Sequence, residues 1–177
     1  EEMERKKSLR TIVILVIGVL LGACGSKNQA VDGDHEYSIG ILQFMEHNSL
    51  SAARDGFMAE LEASDLNINF EVMNGQGDQS NLQSMSEQLA NDTDLMLAIA
   101  TPAAQSLATV EQEKPILFTA VTDPVDAGLV DSNENPGRNL TGTSDMVPID
   151  QQIALLLSIV PDADTIGIIY SSSEPNS

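Results

Sequence analysis

The sequence predicts an α/β protein in which a parallel β-sheet carries helices on both faces. Short apolar segments alternate along the chain with longer segments whose apolar residues recur at helical spacing. This alternation is typical of parallel sheets, because parallel strands are joined by crossover helices. Several short segments are apolar throughout, as in LMLAIA at residues 95–100, which fits strands buried on both faces. With 177 residues, 42% of them hydrophobic, the chain can bury one sizeable core.

Each element is assigned from the period of its apolar residues. Ile68, Phe70 and Val72 alternate with polar residues, as in a strand, whereas Leu82 and Leu89 lie on one helical face. In chain order we expect a strand at residues 37–44, a helix at 50–63, a strand at 67–73, a helix at 79–90, a strand at 95–100, a helix at 101–112, a strand at 116–121, a helix at 151–160 and a strand at 165–170.

Two further expectations concern the second half of the chain. Residues 131–142 (DSNENPGRNLTG) are rich in turn-forming residues and are expected to be irregular. The strand at residues 165–170 has no element after it, which is a poor end for a domain. We therefore expect the sequence to be a truncated piece of a longer protein.

The charge distribution separates the start of the chain from its body. The chain holds 8 Lys and Arg against 27 Asp and Glu, a formal net charge of -19. Four of the basic residues lie before residue 11, so the body is almost entirely acidic. An acidic body repels phosphate backbones, and we therefore expect no nucleic-acid partner.

The first 24 residues are predicted to be a signal peptide. A basic stretch, Arg5-Lys6-Lys7, precedes a run at residues 12–21 that is apolar apart from one glycine. This run is too short for a membrane span, which needs about 20 apolar residues, and has the length of a signal-peptide core. The run ends in LGAC at residues 21–24, which resembles a bacterial lipobox, so Cys24 is expected to carry the lipid. The alternative is an ordinary signal peptide with an incidental cysteine.

Lipidation of Cys24 would place the protein on the outer face of the cell membrane. Several acyl chains give lasting attachment where a single chain does not. Residues 25–36 (GSKNQAVDGDHE) are small and polar and are expected to act as a flexible tether between the anchor and the body.

Ligands of open parallel sheets bind outside the carboxyl ends of the strands, where three loops can be interpreted chemically. The first loop holds His47, Asn48 and Ser49. Asn48 or Ser49 can cap the next helix, so two alternatives stay open for this loop, plain capping and ligand contact.

The second loop, Thr101-Pro102-Ala103, is typical of a helix start, with Thr at the N-cap and Pro at the first helical position. A helix start offers free N–H groups and suits an anion such as a carboxylate. The third loop, Thr122-Asp123, instead carries a carboxylate that suits an ammonium group. The alternative is that both are only helix starts. Together, one anion-friendly and one cation-friendly corner fit an amino acid.

Motifs for other chemistry are weak. The chain has one cysteine and two histidines, His35 and His47, so no zinc-type ligand set is expected. The segment Gly75-Gln76-Gly77 lacks the third glycine of a dinucleotide-binding motif, and no cofactor is expected. Neither histidine accompanies a nucleophile elbow, so we expect that the protein is not an enzyme.

Several ordered stretches resemble one protein family. They are YSIGILQFMEHNSL at residues 37–50, GDQSNLQSMSEQL at 77–89, AIATPAAQSLA at 98–108, TDPVDAGLV at 122–130, PGRNLTGTSD at 136–145 and IGIIYSSSEPNS at 166–177. The series is similar to the ABC transporter substrate-binding lipoproteins of the tryptophan/tyrosine-binding type. Each motif is moderately specific, but the ordered set covers almost all of residues 37–177.

The resemblance implies a two-lobed type I periplasmic binding protein fold with the ligand held between the lobes. Residues 37–145 would form lobe 1, and residues 146–177 would form the crossing segment and the start of lobe 2. Carried over position by position, the implied ligand contacts are His47, Asn48, Ser49, Thr101, Pro102, Ala103, Thr122, Asp123, Ser144, Asp145, Ser172, Ser173, Glu174, Asn176 and Ser177.

The resemblance also implies a function. The protein would capture an amino acid, aromatic in members of this type, and deliver it to the permease subunits of an ABC importer. Three alternatives stay open: the same kind of binding protein for another small solute, a lipid-anchored hydrolase, and a regulator of the sugar-repressor type. The regulator would need a basic helix-turn-helix where this chain has a signal peptide.

Overall fold

Five parallel strands form one sheet in the structure, a computed structural model that describes residues 35–170. The elements in chain order are β1 (Glu36–Gln43), α1 (Asn48–Glu62), β2 (Asn67–Asn74), α2 (Gln79–Asp92), β3 (Leu95–Ile99), α3 (Thr101–Val110), β4 (Ile116–Val121), β5 (Leu140–Ser144) and α4 (Ile149–Ile159). The strand order across the sheet is β2-β1-β3-β4-β5. The predicted fold class is thus confirmed.

The register of the sheet places aliphatic residues of neighbouring strands side by side. In the centre, Ile41 of β1 lies between Val72 of β2 and Leu97 of β3, and Leu97 also pairs with Leu117 of β4. Every pairing is parallel, so the carboxyl ends of all five strands lie along one edge, which we call the carboxyl edge.

Alternate residues of the central strands face two separate apolar clusters, as the period of a strand requires. Leu42 and Met96 belong to the larger cluster, which also holds Leu82 and Leu89 of α2 and Leu107 of α3. Ile41 and Leu97 belong to the smaller cluster, against which Phe57 of α1 packs. The helices therefore cover both faces of the sheet.

The position of the fifth strand differs from the prediction. Leu140–Ser144 pairs with β4 as β5, although its first three residues were expected to be irregular. Residues 165–170, predicted to be a strand, form no regular element. Their apolar side chains are exposed, with Ile168 at 81% and Ile169 at 102%. A strand is stable only beside a paired neighbour, and among residues 35–170 this segment pairs with none.

The remaining elements agree with the prediction to within two residues at each end. The predicted signal peptide with Cys24, nearly all of the predicted tether, and residues 171–177 lie outside the described residues. The predicted boundary between the lobes at residue 145 stays a prediction. Between residues 35 and 170 the helices are too short or too polar for one of them to cross a membrane.

Candidate ligand-binding edge of the sheet

The carboxyl edge has a topological switch point between β1 and β3. The chain runs outward from β1 to β2 and then returns to continue on the other side of β1 with β3. At such a point the two loops that leave neighbouring strands diverge and open a crevice in which ligands bind. Phe44 N–H, just after β1, donates to the Ile99 carbonyl at the end of β3 over 3.2 Å, so both loops start from one fixed place.

The loop after β1 presents the first group of predicted contacts. His47, Asn48 and Ser49 are all exposed, and His47 is the N-cap of α1. Its Nδ1 accepts from the Ser49 N–H over 3.2 Å. The prediction that Asn48 or Ser49 caps this helix was wrong, because both already lie inside its first turn. The side chains of Asn48 and Ser49 are not used for capping.

A hydrogen-bonded network lies under this loop, and the motifs of the sequence did not predict it. Its centre is Gln43, the last residue of β1, which is 0% exposed. Its carboxamide bonds to the loop and to α1, and the network continues to Asn74 at the end of β2. The available sequence signal was a polar residue at a position where the strand pattern calls for an apolar one.

The loop after β3 is a helix start without a side-chain cap. The N-cap of α3 is Ala100, and Thr101 and Pro102 are the first two helical residues. The predicted capping role of Thr101 was therefore wrong by one position. Thr101 is 2% exposed, and its Oγ1 has no hydrogen-bond partner among the described residues. Ala100 has φ 82° and ψ 153°, a conformation that non-glycine residues rarely adopt.

The starts of α1 and α2, in contrast, each have a side-chain cap. The Asp78 carboxylate accepts from the Ser80 hydroxyl at 2.7 Å and from the Ser80 N–H at 2.9 Å at the start of α2. These two bonds, the hydroxyl bond first, hold the pKa of Asp78 below its ordinary value of 3.8. The starts of α3 and α4 both lack a side-chain cap, and of these two only α3 follows the central strand, so its start lies in the middle of the carboxyl edge.

The loop after β4 holds Thr122 and Asp123, both partly buried. Asp123 Oδ1 accepts from the N–H groups of Val125 and Asp126, each at 3.0 Å. One carboxylate oxygen is therefore occupied by a turn, which reduces what Asp123 can offer to an ammonium group.

The end of β5 is joined to this loop. The exposed Ser144 donates its hydroxyl to the Thr122 carbonyl over 2.6 Å, and Asp145 follows at once. Thr122 and Ser144, two of the contact positions that the resemblance implied, are thus brought together, and their role in ligand contact stays a prediction.

The predicted contacts within residues 35–170 all lie at the carboxyl edge, but not all are open to solvent. Pro102 and Ala103 are buried with Thr101, whereas His47, Asn48, Ser49, Ser144 and Asp145 are exposed. Ser172, Ser173, Glu174, Asn176 and Ser177 lie outside the described residues. Among the described His, Asp and Glu residues, no group of three could hold a metal ion.

Comparison with known proteins gives one family. The family model described as ABC transporter substrate binding protein matches residues 38–177. A curated relative from Clostridioides difficile, named tyrosine-binding protein, is 40% identical over 99% of this chain.

Solved structures are similar in fold as well. A Streptococcus pneumoniae domain crystallised in complex with L-Trp is 43% identical over 80% of the chain, with a TM-score of 0.74. A ligand-free, open substrate-binding protein with adhesive properties from Clostridium difficile is 44% identical over 78% of the chain, with a TM-score of 0.67. The chain spans about half the length of these proteins: 55% of the curated relative, and 50% and 48% of the two solved chains.

Proposed function

The chain belongs to the ABC transporter substrate-binding protein family, and from this premise we propose that it captures an aromatic amino acid for an importer. The family is one of solute-binding proteins. The relative named for tyrosine and the matched structure that holds L-Trp support this ligand class. The work of such a protein is binding rather than chemistry, since a ligand that prefers one conformational state shifts the population toward it.

The observation that carries the proposal is the start of α3. It is a helix N-terminus at the central strand, and its N-cap, Ala100, has no side-chain acceptor for the first N–H groups. Thr101 adds a buried hydroxyl that has no partner among the described residues. Unsatisfied donors at the positive end of a helix dipole suit a carboxylate, which every amino acid carries.

The ammonium group of the ligand would then lie on the acidic side of the edge. Asp123 keeps one carboxylate oxygen that the turn at Val125 does not use, and Asp145 follows the strand beside it. The described body has few cations to compete for these carboxylates, with Arg54, Lys114 and Arg138 as its Lys and Arg residues.

The partners follow from the same proposal. We expect an ABC permease to receive the ligand and a diacylglycerol on Cys24 to hold the protein on the extracytoplasmic face of the cell membrane. The motif LGAC at residues 21–24 supports the anchor. An anchored protein would diffuse in the plane of the membrane near the permease and would not be lost to the medium.

Calorimetric titration of the full-length protein without residues 1–24, against each standard amino acid, tests the ligand. We expect micromolar or tighter binding of Trp, Tyr or Phe and weak binding of the others. Binding of a sugar or a metal ion in place of any amino acid would refute the proposal. If no amino acid binds, the family assignment stands, and peptides and other small solutes are titrated next.

A further inference from the structure

Gln43 occupies an unusual place in β1. Ile39 and Ile41 project into the apolar cluster under α1, and Gln43 is the next residue on that face. It is 0% exposed. Burying a carboxamide costs free energy unless its groups are bonded, so an aliphatic residue would complete this row more simply. A buried polar residue that breaks the local pattern is expected where function requires it.

The carboxamide of Gln43 is bonded on both of its ends. Its Nε2 donates to the Met45 carbonyl over 2.7 Å and to the Ser51 hydroxyl over 3.1 Å. Its Oε1 accepts from Arg54 Nη1 over 3.1 Å. One side chain therefore joins the end of β1 to the exposed loop after it and to the first two turns of α1.

Two further residues extend this network to the next loop. Ser51 donates to Glu46 Oε1 over 2.8 Å, and Asn74 Nδ2 donates to Glu46 Oε2 over 3.0 Å. Asn74 Oδ1 in turn accepts from the Gln76 N–H over 2.8 Å. Both carboxylate oxygens of Glu46 are thus used to hold the loop after β1 against the loop after β2.

The positive charge of Arg54 is balanced by the carboxylate of Asp55. Arg54 Nη2 lies 2.8 Å from Asp55 Oδ1, which also accepts from Arg54 Nε. The Arg54 side chain is 23% exposed, so the guanidinium is not forced into the apolar cluster. Its contact with Gln43 orients the carboxamide, because a guanidinium donates only and so selects the oxygen end.

We propose that Gln43 is a positioning residue for ligand binding, which holds residues 44–47 and the start of α1 in the geometry that the ligand meets. The proposal rests on the proposed function. Gln43 is buried and does not touch the ligand; it acts through the loop that presents His47, Asn48 and Ser49. A loop ordered before binding spares the ligand the entropic cost of ordering it.

The test is Gln43→Met, which keeps the length of the side chain and removes its hydrogen bonds. Ser51, Arg54 and Met45 are at least partly exposed, so water can replace their lost bonds and the sheet stays folded. In the full-length protein we expect the affinity for L-tyrosine or L-tryptophan to fall about tenfold or more. Amide hydrogen exchange at residues 44–51 should become faster while exchange in β3 and β4 stays unchanged.

Gln112→Met is the matched control. Gln112 follows α3 at the opposite edge of the sheet, where its Nε2 donates to the Ala108 carbonyl over 2.6 Å. We expect it to leave the affinity and the exchange of residues 44–51 unchanged. Arg54→Met, which removes the group that orients the carboxamide, should reproduce part of the loss seen in Gln43→Met.

An unchanged affinity in Gln43→Met would overturn the proposal. So would a loss of affinity accompanied by faster exchange throughout the sheet, since that pattern means general unfolding. If the wild-type protein binds neither amino acid, the proposed function fails instead. Amide hydrogen exchange at residues 44–51 then tests the positioning role of Gln43 by itself, and equal rates in Gln43→Met and the wild type reject that role.

Discussion

Two alanines at the carboxyl edge hold backbone conformations that favour glycine. Ala100 has φ 82°, and Ala120 in the neighbouring strand β4 has φ 54°. Such conformations cost about 1–3 kcal/mol each and persist only where the surrounding structure enforces them. Ala100 directly precedes Thr101, whose hydroxyl has no partner among the described residues, and Ala120 lies near the end of β4, the strand beside β3. The backbone beside the proposed carboxylate site is therefore held at a cost to stability.

Thr101→Val distinguishes a ligand-binding hydroxyl from a structural one. The hydroxyl has no partner among residues 35–170, so its removal should leave the melting temperature unchanged or raise it. A hydrogen bond to a charged group contributes about 1.5–3 kcal/mol, so the affinity for L-tyrosine or L-tryptophan should fall about tenfold or more. Calorimetry and thermal melts of the full-length protein measure the two effects.

Two controls accompany this variant. Thr109→Val changes an exposed threonine of the same helix, whose hydroxyl bonds to the Gln105 carbonyl, and should not affect ligand affinity. Tyramine and tryptamine lack the carboxylate, and their binding should be equally weak in the wild type and in Thr101→Val. A lower melting temperature with unchanged affinity would show that the hydroxyl supports the fold only.

At the scale of elements, apolar periodicity predicted the central elements but not every boundary. The strands at β1 to β4 are set by residues such as Ile41 and Leu97, whose apolar character marks them for burial. The caps of α1 and α3 were misassigned because Asn, Ser and Thr are preferred as caps, whereas the path of the chain out of the sheet places His47 and Ala100 at the N-cap positions. β5 depends on pairing with β4 rather than on its own burial, since only Leu140 of its residues is buried.

The candidate site was predictable only in outline. The strand ends of a parallel sheet share one edge, so the sequence alone was enough to expect the three predicted loops close together. The bonds of Gln43 could not be predicted, because they join residues of β1 and α1 whose relative placement is a tertiary property. Sequence showed only that a glutamine interrupts an apolar run.

Gly142 makes the β4–β5 contact sensitive to a single methyl group. A Cβ at this position would overlap the Phe118 carbonyl oxygen and lie 2.6 Å from its ring, so the strands would have to separate. We expect Gly142→Ala to lower the free energy of unfolding by about 1–3 kcal/mol, the usual cost of overpacking. Denaturant unfolding of the full-length protein measures the change.

Gly56→Ala is the matched substitution. Gly56 lies inside α1, where a methyl group would meet nothing within 4 Å, and alanine favours a helix over glycine by about 1 kcal/mol. The two Gly-to-Ala changes should therefore have opposite signs. Equal effects would mean that the close approach of β5 to Phe118 does not limit the sheet.

At the scale of the whole molecule, the described chain combines a well-buried sheet with an apolar surface beyond it. No residue of α4 is buried, and Leu155 and Ile159 are 61% and 71% exposed. An apolar surface of this kind marks an interaction site. We expect it to pack against the rest of the second lobe, since the family resemblance places residues 146–177 in the crossing segment and the start of that lobe.

The proposed lipid anchor is tested at Cys24, the one cysteine of the chain. A thiolate is the nucleophile that would accept the diacylglycerol, and serine at this position lacks the necessary reactivity. Cells fed a labelled fatty acid should label the wild-type protein. Cys24→Ser should stay unlabelled and keep residues 1–23, because cleavage follows lipidation, and intact mass measures both.

Ser26→Ala, two residues on, is the control and should behave as the wild type. Label on Cys24→Ser would reject the lipobox, whereas ligand binding should be the same in both proteins, because the sheet begins at Glu36.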